Sequence, residues 1–429
     1  MEAISKVNWI PAWGEERIAS MVADRKDWCI SRQRLWGVPI PIFYCESCGK
    51  PVINEAAIKS VAKVFSEKGS DAWYQLEALQ LLPEGFKCEC GGSTFTKEKD
   101  TMDVWFDSGS SHWSVLSSRE ELSFPADMYL EGNDQYRGWF QSSLLTCVAK
   151  NGTAPYKSVL THGFVIDEEK RKMSKSLGNG LPPIEVVSEY GADILRLWAA
   201  SADYKADVRI SKDILKQLSE GYRKIRNTAR YILGSLYDFN PDTDIVSELE
   251  EIDKWVLMRL NQVIERVKKA YDNYEYHIVY HTLHNFCVVE LSNFYLDVTK
   301  DRTYCEKPDS AGRRAAQTVM YLILDSLVKM IAPILSFTAE EIWQFMPHRS
   351  SDNTDSILFS RLPEVNREYF SEQLQQKWDR ILQIRDVVAK ELEKARSEKL
   401  IGSSLSAKVT IFANGEDYEF VKSILPELP

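Results

Sequence analysis

The sequence predicts an α/β region followed by an all-α region. Short β-type apolar runs alternate with helical patterns up to about residue 200, strand-like runs vanish after about residue 212, and long apolar stripes at helical spacing then take over. In order, residues 1–44 mix short apolar runs with Pro11, Pro39 and Pro41, as strands and their connections do, and residues 45–92 form an insertion bounded by paired cysteines. Within 93–212, Val104 to Phe106 and Ser158 to Val165 read as strands, and Trp139 to Ala149 and Asp193 to Ala200 as helices. Residues 213–249 form a helical connection. Trp255, Leu257, Leu260, Val263, Ile264, Val267 and Tyr271 recur at helical spacing, as do Tyr321, Leu324, Leu327, Val328 and Ile331. Pro333 ends the second of these helices, Thr338-Ala339-Glu340-Glu341 has the form of a capping box for the next, and an antiparallel helix bundle over 250–365 follows. Residues 366–429 carry a further helix, Trp378 to Glu398, and a strand-like run, Ala407 to Phe412, at the start of another domain.

With 429 residues, 44% of them hydrophobic, the chain can build two or three cored domains. Glu2, Lys6, Glu15, Glu16 and Arg17 interrupt every early apolar run, so no signal-peptide core is present. The most apolar window, Tyr321 to Phe337, contains Asp325, Lys329 and Pro333 and reads as a buried helix, not a membrane span; a cytoplasmic protein is expected. A balance of 53 basic against 63 acidic side chains argues against a general nucleic-acid binder, because phosphate neutralisation drives such binding. Arg223, Arg226 and Arg230 nevertheless share one face of a helical segment, which serves either as a solvated surface or as an RNA contact.

Cys45-Glu46-Ser47-Cys48-Gly49 and Cys88-Glu89-Cys90-Gly91-Gly92 bring two pairs of thiols close together, each followed by glycine. Two thiolates occupy neighbouring corners of a tetrahedron only if the backbone turns tightly between them, and glycine permits that turn. Cys45, Cys48, Cys88 and Cys90 are therefore expected to hold a structural zinc ion (Zn2+), the alternatives being a disulfide pair, disfavoured in the cytosol, or four unrelated thiols.

Lys172-Met173-Ser174-Lys175-Ser176 places two lysines and two hydroxyls on a short segment closed by Leu177-Gly178-Asn179. Lysine is a flexible point charge suited to phosphate oxygens, and the segment lies between an apolar run ending in His162-Gly163-Phe164-Val165 and the helical start Tyr190-Gly191-Ala192-Asp193. Strand, basic loop and helix is the layout of a nucleotide site at the carboxyl end of a parallel sheet. Glu131, Asp134 and Gln135 beside Gly132 suit either an amino group or a ribose hydroxyl pair, or else form a simple turn.

These segments resemble a known family. Lys172 to Ser176, with His162-Gly163-Phe164 before it and Gly191-Ala192-Asp193 after it, is similar to the second signature of class I aminoacyl-tRNA synthetases. The runs Asp27 to Gly37, Pro39-Ile40-Pro41, Asp103 to Ser110 and Glu131 to Phe140 together resemble bacterial isoleucyl-tRNA synthetases. Valyl and leucyl enzymes share the first of these runs, and Asp134-Gln135-Tyr136-Arg137-Gly138-Trp139-Phe140 favours isoleucine.

The resemblance implies that 1–212 is the second half of a Rossmann-like catalytic domain with a zinc-bearing insertion, and that the helical region binds the anticodon. It implies activation of L-isoleucine by ATP with Mg2+ and transfer to tRNA(Ile), by an enzyme monomeric at full length and not membrane-bound. Lys172 and Lys175 would act on the phosphates, and His162, Gly163, Met173, Ser174 and Ser176 would complete the ATP contacts. Glu131, Gly132, Asp134 and Gln135 would contact the aminoacyl-adenylate, with Trp139 and Trp105 as walls of the isoleucine pocket, although His162 and both tryptophans also suit a core. Some isoleucyl enzymes lack cysteines in the insertion, so the resemblance allows the zinc site without requiring it. The family's first signature, His-x-Gly-His, is matched by none of the six histidines, His112, His162, His277, His281, His284 and His348. A partial enzyme, inactive without its other half and lacking the editing region, is therefore expected, with a non-catalytic tRNA-binding fragment as the alternative.

Overall fold

The computed structural model describes residues 1–173, 177–403 and 406–425. Two compact units divide the chain: Met1–Phe164 with Lys205–Asp207, and Val165–Tyr204 with the chain from Val208 onward.

The first unit is built on a parallel sheet in which Tyr156–His162 lies between Asn8–Ile10 and Ala126–Gly132. Trp9, Ile18, Tyr129, Tyr136, Phe140, Tyr156 and Val159 form its core. The helix Trp139–Asn151 returns the chain between the two longer strands and ends at Gly152, whose φ of +70° suits a residue without a Cβ. Trp13–Ala23 is a helix in a stretch that the prolines suggested was strand and connection.

Val104 to Phe106 is likewise not a strand. These residues open the helix Val104–Gly109, because Asp103 accepts a hydrogen bond from the Trp105 N–H at 3.1 Å and caps the first turn. The strand lies just before it, Thr101–Met102 pairing with Ser31–Arg32.

The insertion has its own antiparallel sheet, with Phe43–Cys45 between Pro51–Val52 and Phe95–Lys97, and its own core of Phe43, Val61, Trp73, Leu81 and Phe95. Its helix Glu55–Lys68 is capped by Asn54, which accepts from the Ala57 N–H at 2.8 Å.

In the second unit, Val165–Ile166 pairs in parallel with Val208–Arg209, the last strand among the described residues. Helices Lys212–Ser235, Glu251–Asp272, Tyr276–Asn285, Ala311–Ile331, Ser336–Phe345 and Glu372–Ser397 follow. Both apolar stripes read from the sequence face one core, which also contains Trp255 stacked on Trp378 at 5.4 Å. Asp253, fully buried, accepts hydrogen bonds from Arg302 at 2.7 Å and from the Tyr295 hydroxyl at 2.7 Å. No described helix is long and apolar enough to cross a membrane.

Two expectations fail here. Ala407 to Phe412 forms no strand, and no described strand lies alongside to pair with it. Thr338 does not open a capping box: the helix starts at Ser336, two residues earlier. Its free N–H groups at Phe337 and Thr338, and the Thr338 hydroxyl, donate instead to the buried Asp193 carboxylate, at 3.3, 2.7 and 2.6 Å. Arg196, one turn after Asp193, donates to the Pro333 and Ile334 carbonyls at 2.8 Å each, where the preceding helix has ended.

Candidate functional site

Four sulfurs meet in the insertion. Cys45, Cys48, Cys88 and Cys90 lie with all Sγ atoms within 4.8 Å of one another, and the pairs Cys45–Cys90 and Cys48–Cys88 stand 3.6 and 3.7 Å apart. A tetrahedral ion with bonds of about 2.3 Å to sulfur needs thiolates roughly 3.8 Å apart, so the donors fit it. The glycines act as their positions suggest: Gly49 and Gly91 have φ of +71° and +89°, and a Cβ on Gly92 would come 2.8 Å from the Cys45 sulfur. Burial opposes ionisation of the Cys45 thiol, but hydrogen bonds from the Cys48 and Ser47 backbone N–H groups and from the Cys90 and Cys48 thiols together outweigh it and bring the thiol down to about 6, which favours the metal-binding thiolate.

The second cluster lies at the carboxyl ends of the two longer parallel strands. Register sets Glu131 beside Thr161 and Gly132 beside His162. A Cβ on Gly132 would sit 2.7 Å from an Asp134 carboxylate oxygen and 3.6 Å from the His162 ring, so the missing side chain brings both groups against the strand end. Glu131 and Asp134 are exposed, while His162 is half-buried and bonds through Nδ1 to the Gly163 carbonyl at 2.8 Å. Gly163 lies against the backbone of Ala206, and the next N–H, of Phe164, donates to Asp207 at 2.8 Å.

Gln135 accepts from the Trp139 N–H at 3.0 Å and donates to Asp134 at 3.0 Å, so it caps the helix and orients the acid together. Trp139 stacks on Tyr129 at 3.9 Å, and its indole N–H donates to the Ser108 carbonyl at 3.0 Å, so much of its ring is committed to the core. Trp105 is 40% exposed, and its ring closes over Gly138, where a Cβ would lie 2.8 Å from it and 2.5 Å from the Gln135 side-chain oxygen. Gly138 is thus the residue that lets Trp105, Gln135 and the start of the helix converge. Its one signal in the sequence is a glycine between Arg137 and Trp139, which by itself points to no role. Asp103 is a second such residue: it is buried and accepts from Trp28 at 2.9 Å and Arg32 at 2.6 Å, tying the runs around 28–32 and 103–105 together.

In the second unit, Lys172 pairs in a β-bridge with Ile166, and Met173 packs partly buried against Val186, Ile194 and Leu215. Ser174, Lys175 and Ser176 lie outside the described residues. Of the three arginines, Arg223 pairs with Glu220 at 2.5 Å and Arg226 with Glu341 at 3.4 Å, while Arg230 is exposed.

Parallel strands whose carboxyl ends carry the polar cluster, a cysteine-rich insertion, and a helical region beyond them agree with what comparison finds. Residues 1–211 match the family described as tRNA synthetases class I (I, L, M and V), and residues 253–411 match the anticodon-binding domain of tRNA ligase. The chain belongs to the class I tRNA synthetases. Among curated proteins it is 59% identical over 424 residues to the isoleucine–tRNA ligase of Caldanaerobacter subterraneus subsp. tengcongensis, an alignment covering 98% of this chain and 46% of that protein. It is also 59% identical over 435 residues to the isoleucine–tRNA ligase of Caldicellulosiruptor saccharolyticus, covering 100% of this chain and 47% of that one. The chain thus spans about half the length of these relatives. Among solved structures, Mycobacterium tuberculosis methionyl-tRNA synthetase bound by methionyl-adenylate superposes with a TM-score of 0.57 at 18% identity, over 84% of this chain and 63% of that one. The Agrobacterium radiobacter K84 agnB2 LeuRS–tRNA–LeuAMS complex gives 0.55 at 21%, over 83% and 47%. At these identities the likeness is one of fold.

Proposed function

We propose that this chain supplies one part of an isoleucine–tRNA ligase, which activates L-isoleucine with ATP and transfers it to tRNA(Ile) in the cytoplasm. The observation that carries this reading is the alignment over 98% of the chain with a relative of that name, at 59% identity. It favours isoleucine over a valyl or leucyl sibling, and an enzyme over a non-catalytic RNA-binding fragment.

Neither step of the reaction needs a protein nucleophile: the isoleucine carboxylate attacks the α-phosphate, and the terminal ribose hydroxyl of the tRNA later takes the acyl group. Catalysis then consists of holding these groups in line and neutralising charge that develops on the phosphates. Glu131 and Asp134 are exposed carboxylates able to accept hydrogen bonds from the substrate ammonium or from ribose hydroxyls, and Gln135 holds Asp134 in place. His162 and Gly163 would line the nucleotide, while Lys172 and Lys175 would act on the departing pyrophosphate, with Mg2+ accompanying ATP. Trp105, poised over Gly138, is better disposed than Trp139 to face an apolar side chain. In this reading the cysteine cluster holds a structural Zn2+ that braces the insertion, Arg223, Arg226 and Arg230 offer a secondary tRNA contact, and the full-length enzyme is a monomer.

The test is isoleucine-dependent ATP/pyrophosphate exchange by this chain co-produced with the remaining part of the ligase. Exchange with isoleucine well above that with valine or leucine supports the reading, and its absence from the assembled protein refutes it.

A further inference from the structure

Asp167, five residues before Lys172, accepts four hydrogen bonds. It is 8% exposed, and one carboxylate oxygen accepts from the Glu169 N–H at 3.0 Å and the Arg171 N–H at 2.7 Å. The other accepts from the Arg171 guanidinium at 2.9 Å and from the Asn179 side-chain amide at 2.8 Å. The Asp167 N–H in turn donates to the Arg171 carbonyl at 3.0 Å, closing a turn between the bridged residues Ile166 and Lys172. The Asn179 amide that reaches Asp167 also donates to the Lys172 carbonyl at 3.3 Å. One carboxylate therefore joins the turn before Lys172 to Asn179 beyond it, and Asn179 holds the Lys172 backbone directly. The Asn179 amide, the Arg171 N–H and its guanidinium keep the Asp167 carboxyl ionised, down to about 2.

We propose that Asp167, acting through Asn179, is a positioning residue that fixes the Lys172 backbone for its contact with the pyrophosphate end of ATP. The role in phosphate binding rests on the proposed function above; the fixing of the segment does not. A lysine carries its charge on four flexible methylenes, so its grip on a phosphate depends on how firmly its backbone is held. Asn179 is the member of this group least needed by the turn itself. Its loss would remove the side-chain hold on the Lys172 carbonyl while leaving the Ile166–Lys172 bridge and the Asp167–Arg171 bonds intact.

Two measurements test this on Asp167→Asn and Asn179→Ala. In the 429-residue chain, trypsin cleavage after Arg171 and Lys172, both exposed but held by the turn, should quicken about five-fold or more in Asp167→Asn, and by a smaller factor in Asn179→Ala, because a released backbone adapts to the protease more readily. Unchanged cleavage in both variants overturns the fixing of the segment. In the assembled ligase, both variants should raise the KM for pyrophosphate in isoleucine-dependent exchange by about five-fold or more while leaving the isoleucine KM unchanged. A fall in rate with all KM values unchanged would indicate damage to the fold only and overturn the positioning role. If the unmodified assembled protein shows no exchange, the proposed function fails, and with it the phosphate role, while the cleavage result still decides whether Asp167 fixes the segment.

Discussion

Gly132 and His162 are partners across the parallel ladder, at the last register position of the two longer strands. That pairing brings residues 30 apart in sequence to one end of the sheet, where the neighbouring Gly163 packs directly against the Ala206 backbone.

Gly163→Ala should therefore damage this strand end. The added methyl would meet backbone carbonyl atoms of Ala206, which no rotamer change can move. We expect a loss of about 1–3 kcal/mol by urea unfolding, typical of overpacking, and a loss of exchange activity in the assembled ligase larger than the fall in its folded fraction. Full stability and full activity in this variant would show that the 205–207 segment yields easily.

The cysteine cluster should contain one zinc per chain as purified, because four sulfurs within 4.8 Å of one another fit a tetrahedral ion. Cys88→Ser should lose most of that metal and lower the melting temperature, and chelation of the parent should do the same. Metal analysis showing no zinc in the parent would leave the cluster as four thiols.

Arg302→Met should unfold the helical unit at markedly lower denaturant. The substitution strands the Asp253 carboxylate, fully buried beside Tyr295, whose hydroxyl is itself held neutral by burial and by that same carboxylate. Breaking a buried pair on one side costs about 3–5 kcal/mol, and the double variant Asp253→Leu/Arg302→Met should recover much of it. Urea midpoints of the two variants check this, and equal losses would mean that lost packing outweighs the stranded charge.

Stability contributed by Asp167 should depend on pH in one direction. Its folded pKa of about 2 lies below the usual value of about 3.9 in an unfolded chain, so the contribution is fully present above pH 4 and lost as pH falls toward 2. The gap in melting temperature between parent and Asp167→Asn should be widest at neutral pH and narrow through that window. A gap that widens on acidification would contradict the assignment.

The parts legible in the sequence are those whose cause is local. Trp255 to Tyr271 reads as a helix because its apolar residues recur every three or four positions, and the cysteine pairs read as a cluster because glycine follows each. Val104 to Phe106 misleads because valine, tryptophan and phenylalanine favour strands. What decides the matter is Asp103, held by Trp28 and Arg32 from more than 70 residues away. Ala407 to Phe412 has the composition of a strand, but a strand needs a partner and none is described. At the candidate site, the sequence identified the polar residues but missed Gly138, Asp103 and Asp167, which arrange the others. Their influence runs through contacts that no spacing rule reports.

Asp193 supplies from 145 residues upstream the cap that the helix Ser336–Phe345 lacks in its own sequence. A ribosome delivers Asp193 long before Ser336, so the acceptor can be waiting when the late helix emerges. The start of the helix thus depends on a distant element: a chain in which residues 192–201 have not settled would wind this segment with its first donors still turned to water.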